Sequence, residues 1–350
     1  MSLPDAVMAC IAADVPVLLW GPPGVGKTAA LMAAARVHGA HTEVLIGSSI
    51  DPLDVGGHLV VGSDGLVRQL PPPWAHRARA VLDAGRPVWL FFDELSCAPP
   101  SVQAALLRVI QERHVAGVSL YGCRVVGAAN PADTAADGGW LSPATSNRWA
   151  HVEWAINAAE WCIGALTGWG TPLSAAQAEV AASVCNWIGR SPEALLSPPK
   201  DLNSSRAWPS PRSWSAAIMA MASLPGGLVH KQATQVMAAC VGAGATSEWD
   251  AYRVGLDLPD PEAVLAGRVS LPRRGDQLYA TMLAVVAAAA SLHPEREARL
   301  NQAVTLVTAL RPDQALSPAR ALLAALDGNV PTELRHLGEA LLHARATVNR

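Results

Sequence analysis

The fold is decided by one stretch of sequence, Gly21-Pro22-Pro23-Gly24-Val25-Gly26-Lys27-Thr28. It fits the pattern G-x-x-x-x-G-K-[ST], and it stands between an apolar run, Val15–Trp20, and an alanine-rich segment, Thr28–Val37. These neighbours predict a strand before the loop and a helix after it. Glycines let backbone N–H groups curl around phosphate oxygens, and the N-terminus of a helix attracts the same negative charge. The stretch therefore predicts a phosphate-binding loop.

Two side chains of this loop have specific predicted roles. Lys27 would bridge the β- and γ-phosphates of ATP, and the hydroxyl of Thr28 would ligate Mg²⁺. The residues predicted to hold the nucleotide are Gly21, Pro22, Pro23, Gly24, Val25, Gly26, Lys27, Thr28 and Ala29.

A second motif closes a fully apolar run at residues 87–95, where Asp93 and Glu94 follow Phe91 and Phe92. In open α/β sheets, ligands bind at the carboxyl ends of the strands. We therefore expect Asp93 to join Thr28 at the metal, and Glu94 to orient and activate the attacking water.

The first 155 residues alternate between strand-like and helix-like segments. Continuous apolar strands separated by helices predict an α/β fold with a parallel sheet covered on both faces. The predicted strands after the first are 43–50, 87–95, 124–129 and 150–154, and the predicted helices after the loop helix are 73–84 and 101–113. Glycine-bearing turns predict two β-hairpin inserts, near 57–70 and 115–123.

After Trp154 the pattern becomes helical, which divides the chain into three predicted parts. These are an α/β nucleotide-binding domain over 1–155, a helical lid over 156–225 and an all-α C-terminal region over 226–350.

Composition excludes several classes of protein. Hydrophobic residues make up 51% of the 350 residues, and the formal net charge is −3, which disfavours a broad nucleic-acid-binding face. The longest strongly apolar stretch, Met282–Leu292, is too short to span a bilayer, so no membrane insertion is expected. The six cysteines are scattered without a C-x-x-C pair, which indicates free thiols and a cytoplasmic location.

The motifs together resemble those of an AAA+ ATPase, and within that superfamily the MoxR branch. The resemblance covers residues 10–225 well and the remainder more loosely. It rests on GPPGVGKT at 21–28, SSIDPLDVGG at 48–57, FFDEL at 91–95, SVQAALLRVIQER at 101–113 and AANPAD at 128–133.

The resemblance implies three further site residues. Asn130 matches the sensor-1 residue that positions the attacking water, and Arg148 matches an arginine finger that acts on the neighbouring subunit. The family pattern around the finger is closer to Asp-Arg-Phe, from which Asn147-Arg148-Trp149 departs. Arg212 matches the sensor-2 arginine of the lid, with Arg206 as the competing candidate.

The same resemblance implies a ring, a hexamer, that binds ATP·Mg²⁺ between its subunits and remodels or matures a partner protein. The partner usual for this family carries a von Willebrand factor A-type domain, and the hairpins would face the pore or the client. The alternative hypothesis is a nucleotide-dependent assembly or DNA-associated switch of a defence or restriction system.

Overall fold

The computed structural model describes residues 3–132, 140–199, 206–229, 231–326 and 330–336. These residues form two compact units that meet in sequence at Ala155 and Ile156. Asp133, the last residue of the AANPAD run, lies outside the described residues.

The first unit contains a five-stranded parallel sheet in the order β2-β5-β8-β1-β9. Its strands are β1 (Val17–Trp20), β2 (His41–Ile46), β5 (Val88–Asp93), β8 (Arg124–Ala129) and β9 (Ala150–Glu153). The helices of this unit are α1 (Asp5–Ala12), α2 (Lys27–Val37), α3 (Pro52–Gly56), α4 (Pro73–Asp83), α5 (Pro100–Glu112) and α6 (Pro143–Ser146). A parallel sheet with crossover helices was the predicted fold class, and it is confirmed.

The sheet is buried because its central strands are apolar throughout. Phe91 and Phe92 of β5 are almost fully buried, and Phe92 packs edge-on against Trp149. Helix α5 covers this core with one apolar face, formed by Val102, Leu106, Val109 and Ile110. Two helical turns bring these four positions to the same side, as the predicted spacing requires.

The strand predicted at 124–129 has the observed bounds, and the other four predicted strands each extend past the observed strand at one end or both. Strand β2 was expected over 43–50, and it ends at Ile46 because Gly47 turns toward β5. The Gly47 amide donates to the Asp93 carbonyl at 2.7 Å, and a Cβ at this position would lie only 2.7 Å from the Glu94 carbonyl oxygen. The chain can make this close approach only with glycine.

Two antiparallel hairpins interrupt the alternation of strands and helices in the first unit. The first pairs β3 (His58–Val61) with β4 (Val67–Leu70), and the second pairs β6 (His114–Val115) with β7 (Val118–Ser119). The second hairpin begins one residue before the expected span of 115–123, because Arg113 adopts a φ of 50° and turns the chain out of α5. Its paired strands end at Ser119.

The second unit is helical in its described residues, apart from short 3₁₀ turns and loops. Its helices are α7 (Ala158–Thr167), α8 (Ala175–Arg190), α9 (Pro211–Ala222), α10 (Ala233–Val241), α11 (Ala243–Gly255), α12 (Pro261–Leu265), α13 (Gly275–Ala290), α14 (Arg296–Thr308) and α15 (Pro312–Ala325). One apolar core runs through these helices from Trp161 to Leu334, with α13 buried along nearly its whole length. The boundary predicted near residue 225, between lid and C-terminal region, stays a prediction.

Among the helices described, none combines the length and hydropathy needed to cross a membrane.

Candidate nucleotide site

The sheet order places three sequence motifs next to one another. Strands β5, β8 and β1 are neighbours and parallel, so their carboxyl ends lie at the same edge. Asp93 ends β5, Asn130 follows β8, and the phosphate-binding loop follows β1. The register pairs Trp20 with Ala129, which puts Gly21 and Asn130 at the same level.

The loop itself is shaped by glycines in the left-handed region. Gly24 and Gly26 have φ values of 80° and 89°, and α2 begins immediately after Gly26. Residues with a Cβ adopt this conformation at a cost, so the motif's glycines are a backbone requirement. The helix starts without a side-chain cap, which leaves its first amides directed at the loop.

Gly21 is fixed by close contact rather than by its torsion angles. A Cβ there would lie 2.7 Å from the carbonyl oxygen of Trp154, which is backbone and cannot rotate away. The indole Nε1 of Trp154 also donates to the Val25 carbonyl at 3.2 Å, and the Trp154 amide donates to the Trp20 carbonyl at 2.6 Å. Trp154 therefore contacts the phosphate-binding loop at its start and in its middle.

Lys27 is buried, with 7% of its surface exposed, and its ammonium lies at the centre of the site. The Nζ donates to the carbonyls of Gly21 at 2.6 Å and Pro22 at 3.0 Å, and to Asn130 Oδ1 at 2.8 Å. Phosphate oxygens would compete for these same N–H donors.

The two acidic residues at the end of β5, Asp93 and Glu94, have different hydrogen-bond partners. Thr28 Oγ1 donates to Asp93 Oδ2 at 2.8 Å, so the two oxygens predicted to ligate a metal are adjacent. Glu94 follows in a left-handed conformation with a φ of 52°, and its Oε2 accepts a hydrogen bond from the hydroxyl of Ser48. The Glu94 side chain is exposed at this edge of the sheet.

Asn130 connects the two motifs. Its side chain accepts from Lys27, and its backbone amide donates to Oγ of the buried Ser96 at 3.0 Å. Ser96 belongs to the short 3₁₀ turn Leu95–Cys97 that follows the acidic pair. The position of Asn130 is therefore set from both sides.

Arg148 lies elsewhere in the same unit. Its Nε donates to Gln111 Oε1 at 2.9 Å, and its Nη1 donates to the carbonyl of Ala144. Strand β9 starts two residues later, with Ala150 paired to Val17 at the amino end of β1. Arg148 is thus near the edge of the sheet opposite to the phosphate-binding loop.

Arg212 and Arg206 both belong to the helical unit and are both exposed. Arg212 is in the first turn of α9, which begins at Pro211 and is capped by Ser210. Arg206 lies in the segment before this helix.

Three residues that contact the site were not identified from the sequence: Ser48, Ser96 and Trp154. Each reaches its partner over a long separation in the chain, so no local motif marks it. Ser48 had one available signal, since a hydroxyl at the end of a strand beside β5 would lie at the same edge as Glu94.

Residues 16–149 match the family model of the AAA domain, dynein-related subfamily. A segment of 100 residues is 39% identical to Protein MoxR of Methylorubrum extorquens, and it covers 28% of this chain and 27% of that protein. Residues 16–149 therefore form an AAA domain that resembles the corresponding part of the MoxR proteins. The chain also shares 36% identity over 102 residues with Chaperone MoxR1 of Mycobacterium tuberculosis, covering 28% of the chain and 24% of the relative.

The matches to both curated relatives thus span about a quarter of their lengths. A solved RuvB variant from Thermotoga maritima superposes with a TM-score of 0.36 at 17% identity, over 75% of this chain and 72% of that one.

Proposed function

We propose that this protein is an AAA+ ATPase of the MoxR family, which hydrolyses ATP in a ring of subunits and uses the reaction to remodel a partner protein. The observation that supports this most is the convergence of Lys27, Thr28, Asp93, Glu94 and Asn130 at one edge of the sheet. A buried cation, a hydroxyl–carboxylate pair and an accessible second carboxylate are the groups that phosphoryl transfer needs.

The residues fit ATP and Mg²⁺. The loop offers backbone amides and one buried ammonium to phosphate oxygens, and the hydroxyl and carboxylate oxygens of Thr28 and Asp93 are ligand types that Mg²⁺ prefers. When bound, Mg²⁺ would supply positive charge to the phosphate oxygens. In this proposal Thr28 and Asp93 hold the metal, and the loop from Gly21 to Ala29 holds the nucleotide.

Glu94 and Asn130 act on water in this proposal. Glu94 accepts the proton of the attacking water, and Asn130 orients that water from the neighbouring strand. The Glu94 amide donates to Asp93 Oδ1 at 2.9 Å, so the backbone of the base is tied to the metal ligand.

We assign Arg148 to the site of the neighbouring subunit. Ala150 pairs with Val17, at the start of β1, and Gly21 follows the end of β1. At 3.3 Å per residue, the two positions are about 13 Å apart along the strand. An arginine near the amino ends of the strands therefore does not contact a nucleotide at the phosphate-binding loop of its own subunit. In a closed ring, the same residue can reach the γ-phosphate of the next subunit.

Arg212 is our choice for the lid arginine that contacts nucleotide in its own subunit, and Arg206 is the rival. Helix α9 begins at Pro211, so Arg212 is held in the first helical turn, whereas Arg206 precedes the helix. If only Arg206→Ala weakens nucleotide binding, the assignment passes to Arg206.

The client and the assembly extend the proposal. We expect a hexamer whose client carries a von Willebrand factor A-type domain, in accord with a relative named as a chaperone. The hairpin of β3 and β4 would contact this client, since the aliphatic side chains of Leu59, Val61, Leu66 and Val67 are each more than 60% exposed. Six free cysteines support a cytoplasmic location.

The test begins with ATP turnover and ATP binding measured on the same preparations. Lys27→Ala should abolish binding, and Glu94→Gln should bind ATP normally while losing turnover. Lys231→Ala, an exposed lysine of the helical unit, is the matched control and should match wild type. Normal turnover by Glu94→Gln would refute the assigned base.

A mixing experiment tests the action of Arg148 across subunits. Arg148→Ala should bind ATP without hydrolysing it. Mixed with Glu94→Gln subunits it should regain part of the turnover, because some interfaces then combine an intact Glu94 with an intact Arg148. Full turnover by a monomer would refute the assignment.

A trap experiment tests the client. Glu94→Gln loaded with ATP should retain a von Willebrand A-type protein from host lysate, with Lys27→Ala as the empty control. Retention of nucleic acid instead would favour the DNA-associated switch.

A further inference from the structure

The helical unit contains a cavity of about 810 Å³ that takes no part in the proposed nucleotide chemistry. It is lined by α8, α13, the end of α11, the loop that follows α11 and the first turn of α12. A turn at Leu224–Val229 completes the wall. Cavities of this size hold small molecules or single large side chains.

Its lining is apolar in the interior and acidic around it. The apolar part includes Ala182, Leu228, Leu256 and Ala288. The charged residues of the lining are four carboxylates and one guanidinium: Glu179, Asp257, Asp260, Glu262 and Arg253. The cavity therefore carries a net negative charge next to apolar surface.

The single guanidinium is already occupied. Arg253 donates to Asp250 Oδ1 through Nη2 at 2.6 Å, and it stacks on the Trp249 ring at 5.1 Å. Glu262 is likewise paired, through two hydrogen bonds from Arg299 at 2.6 and 2.8 Å. Arg253 and Glu262 are thus each engaged with a partner outside the lining.

Three acidic side chains are left without an ion pair in the described part of the chain: Glu179, Asp257 and Asp260. Burial raises the pKa of Glu179, Arg253 partly offsets this, and Asp260 raises the pKa further. The Glu179 side chain is nevertheless exposed, and its Oε2 lies beside the turn at Gly227, 3.9 Å from where a Cβ of that residue would be. A bound cation would stabilise the ionised form of this carboxylate.

A second group on the lining is independent of the acidic residues. Asn186 is only 3% exposed, and its Nδ2 donates to the Ala280 carbonyl at 3.2 Å. Its Oδ1 has no hydrogen-bond partner among the described residues. Buried amide oxygens are nearly always paired, so this one indicates a missing donor.

We propose that this cavity binds a donor-rich organic cation on an aliphatic stem, the chemistry of an arginine or lysine side chain. The stem lies on the apolar lining, the charged head is held by Glu179, and Asn186 Oδ1 accepts one of its N–H groups. A guanidinium with its fixed set of N–H donors suits two separate acceptors better than an ammonium does. The site lies wholly in the helical unit and does not depend on ATP hydrolysis.

The cation can be part of a polypeptide or a free molecule, and calorimetric titration of the full chain distinguishes the two. N-acetyl-arginine amide represents the polypeptide form, agmatine the free form, and N-acetyl-citrulline amide is the neutral isostere. We expect N-acetyl-arginine amide to bind with a Kd of about 1 mM or lower and the citrulline compound to bind at least tenfold more weakly. Binding of agmatine alone would identify a free cation as the source.

Variants tie the binding to this cavity. Glu179→Gln should weaken binding about tenfold, while Glu193→Gln, an exposed glutamate outside the lining, should leave it unchanged. Ala175→Trp places a large side chain at an exposed lining position and should block binding without loss of thermal stability. The proposal is overturned if neither cation binds, if the citrulline compound binds equally well, or if Glu193→Gln weakens binding as much as Glu179→Gln.

Discussion

The contact between Ser48 and Glu94 makes a sharp prediction about the rate of ATP hydrolysis. The Ser48 hydroxyl donates to Glu94 Oε2, so one oxygen of the proposed base is occupied by a protein donor. Both side chains are exposed, so we take the free energy of this hydrogen bond to be below the usual range for charged groups, at about 1 kcal/mol. Ser48→Ala removes the donor and leaves the base free to accept from water. We expect the turnover number to rise about fivefold.

The assay is steady-state ATP turnover at saturating ATP, together with ATP affinity. The affinity should not change, since Ser48 makes no contact with the phosphate-binding loop in the described structure. Ser49→Ala is the matched control, because the neighbouring hydroxyl reaches only the Ile46 carbonyl, at 3.4 Å. A fall in turnover at unchanged affinity would refute the reasoning, because it would show that Ser48 positions Glu94 for reaction.

Three further predictions concern the metal, the loop and the stability of the first unit. Thr28→Val should lower Mg²⁺-dependent turnover at least tenfold while Thr28→Ser retains it, because only the hydroxyl carries the ligand and the hydrogen bond to Asp93. Trp154→Phe should weaken ATP binding about threefold to tenfold, because it removes one hydrogen bond to the loop while leaving a smaller aromatic ring; an unchanged affinity would contradict this role. Glu43→Gln should lower the free energy of unfolding by about 2 kcal/mol at pH 7, between the values for exposed and buried ion pairs. Burial alone would raise the pKa of Glu43, but the hydrogen bonds and charges of Arg77 and His41 lower it overall, so its stabilisation is complete above the unfolded-state pKa and is lost as the pH falls through the lower folded-state pKa. The melting temperatures of wild type and Glu43→Gln should therefore converge below about pH 4. A constant difference between them down to pH 3 would contradict a stabilising role of ionised Glu43.

The fold was predictable where a local sequence pattern determines both the structure of a segment and the elements on either side of it. The glycine loop had to follow a strand and start a helix, and the apolar run ending in Asp93 had to be a buried strand. The confirmed parallel sheet then brings both motifs and Asn130 to the same edge without further information.

A motif that pointed to the family has a plain structural cause. In the run at 48–57, Asp51 accepts from the Leu53 amide at 2.9 Å, and Asp54 accepts from the Asp51 amide at 3.2 Å. The two aspartates cap α3 reciprocally, and Gly57 lets the chain pass close to Leu70, whose carbonyl oxygen would lie 2.5 Å from an added Cβ. The spacing encodes a short helix followed by a hairpin.

The supporting contacts could not be predicted because they depend on tertiary geometry. Ser48, Ser96 and Trp154 are common residue types without a local pattern, and each meets the site only after distant strands have paired. The cavity of the helical unit was invisible for the same reason. Its walls come from four helices and two loops, and none of its charges belongs to a motif.

The two hydrophobic cores have a consequence for how such proteins diversify. One core draws on residues of the first unit alone, and the other on residues of the second unit alone. A substitution in either core is therefore repacked within its own unit. Mutation can remodel the helical unit, including its acidic cavity, while leaving the packing beneath Lys27 and Asp93 untouched. Selection can in this way combine one conserved α/β unit with helical units of different surface and cavity.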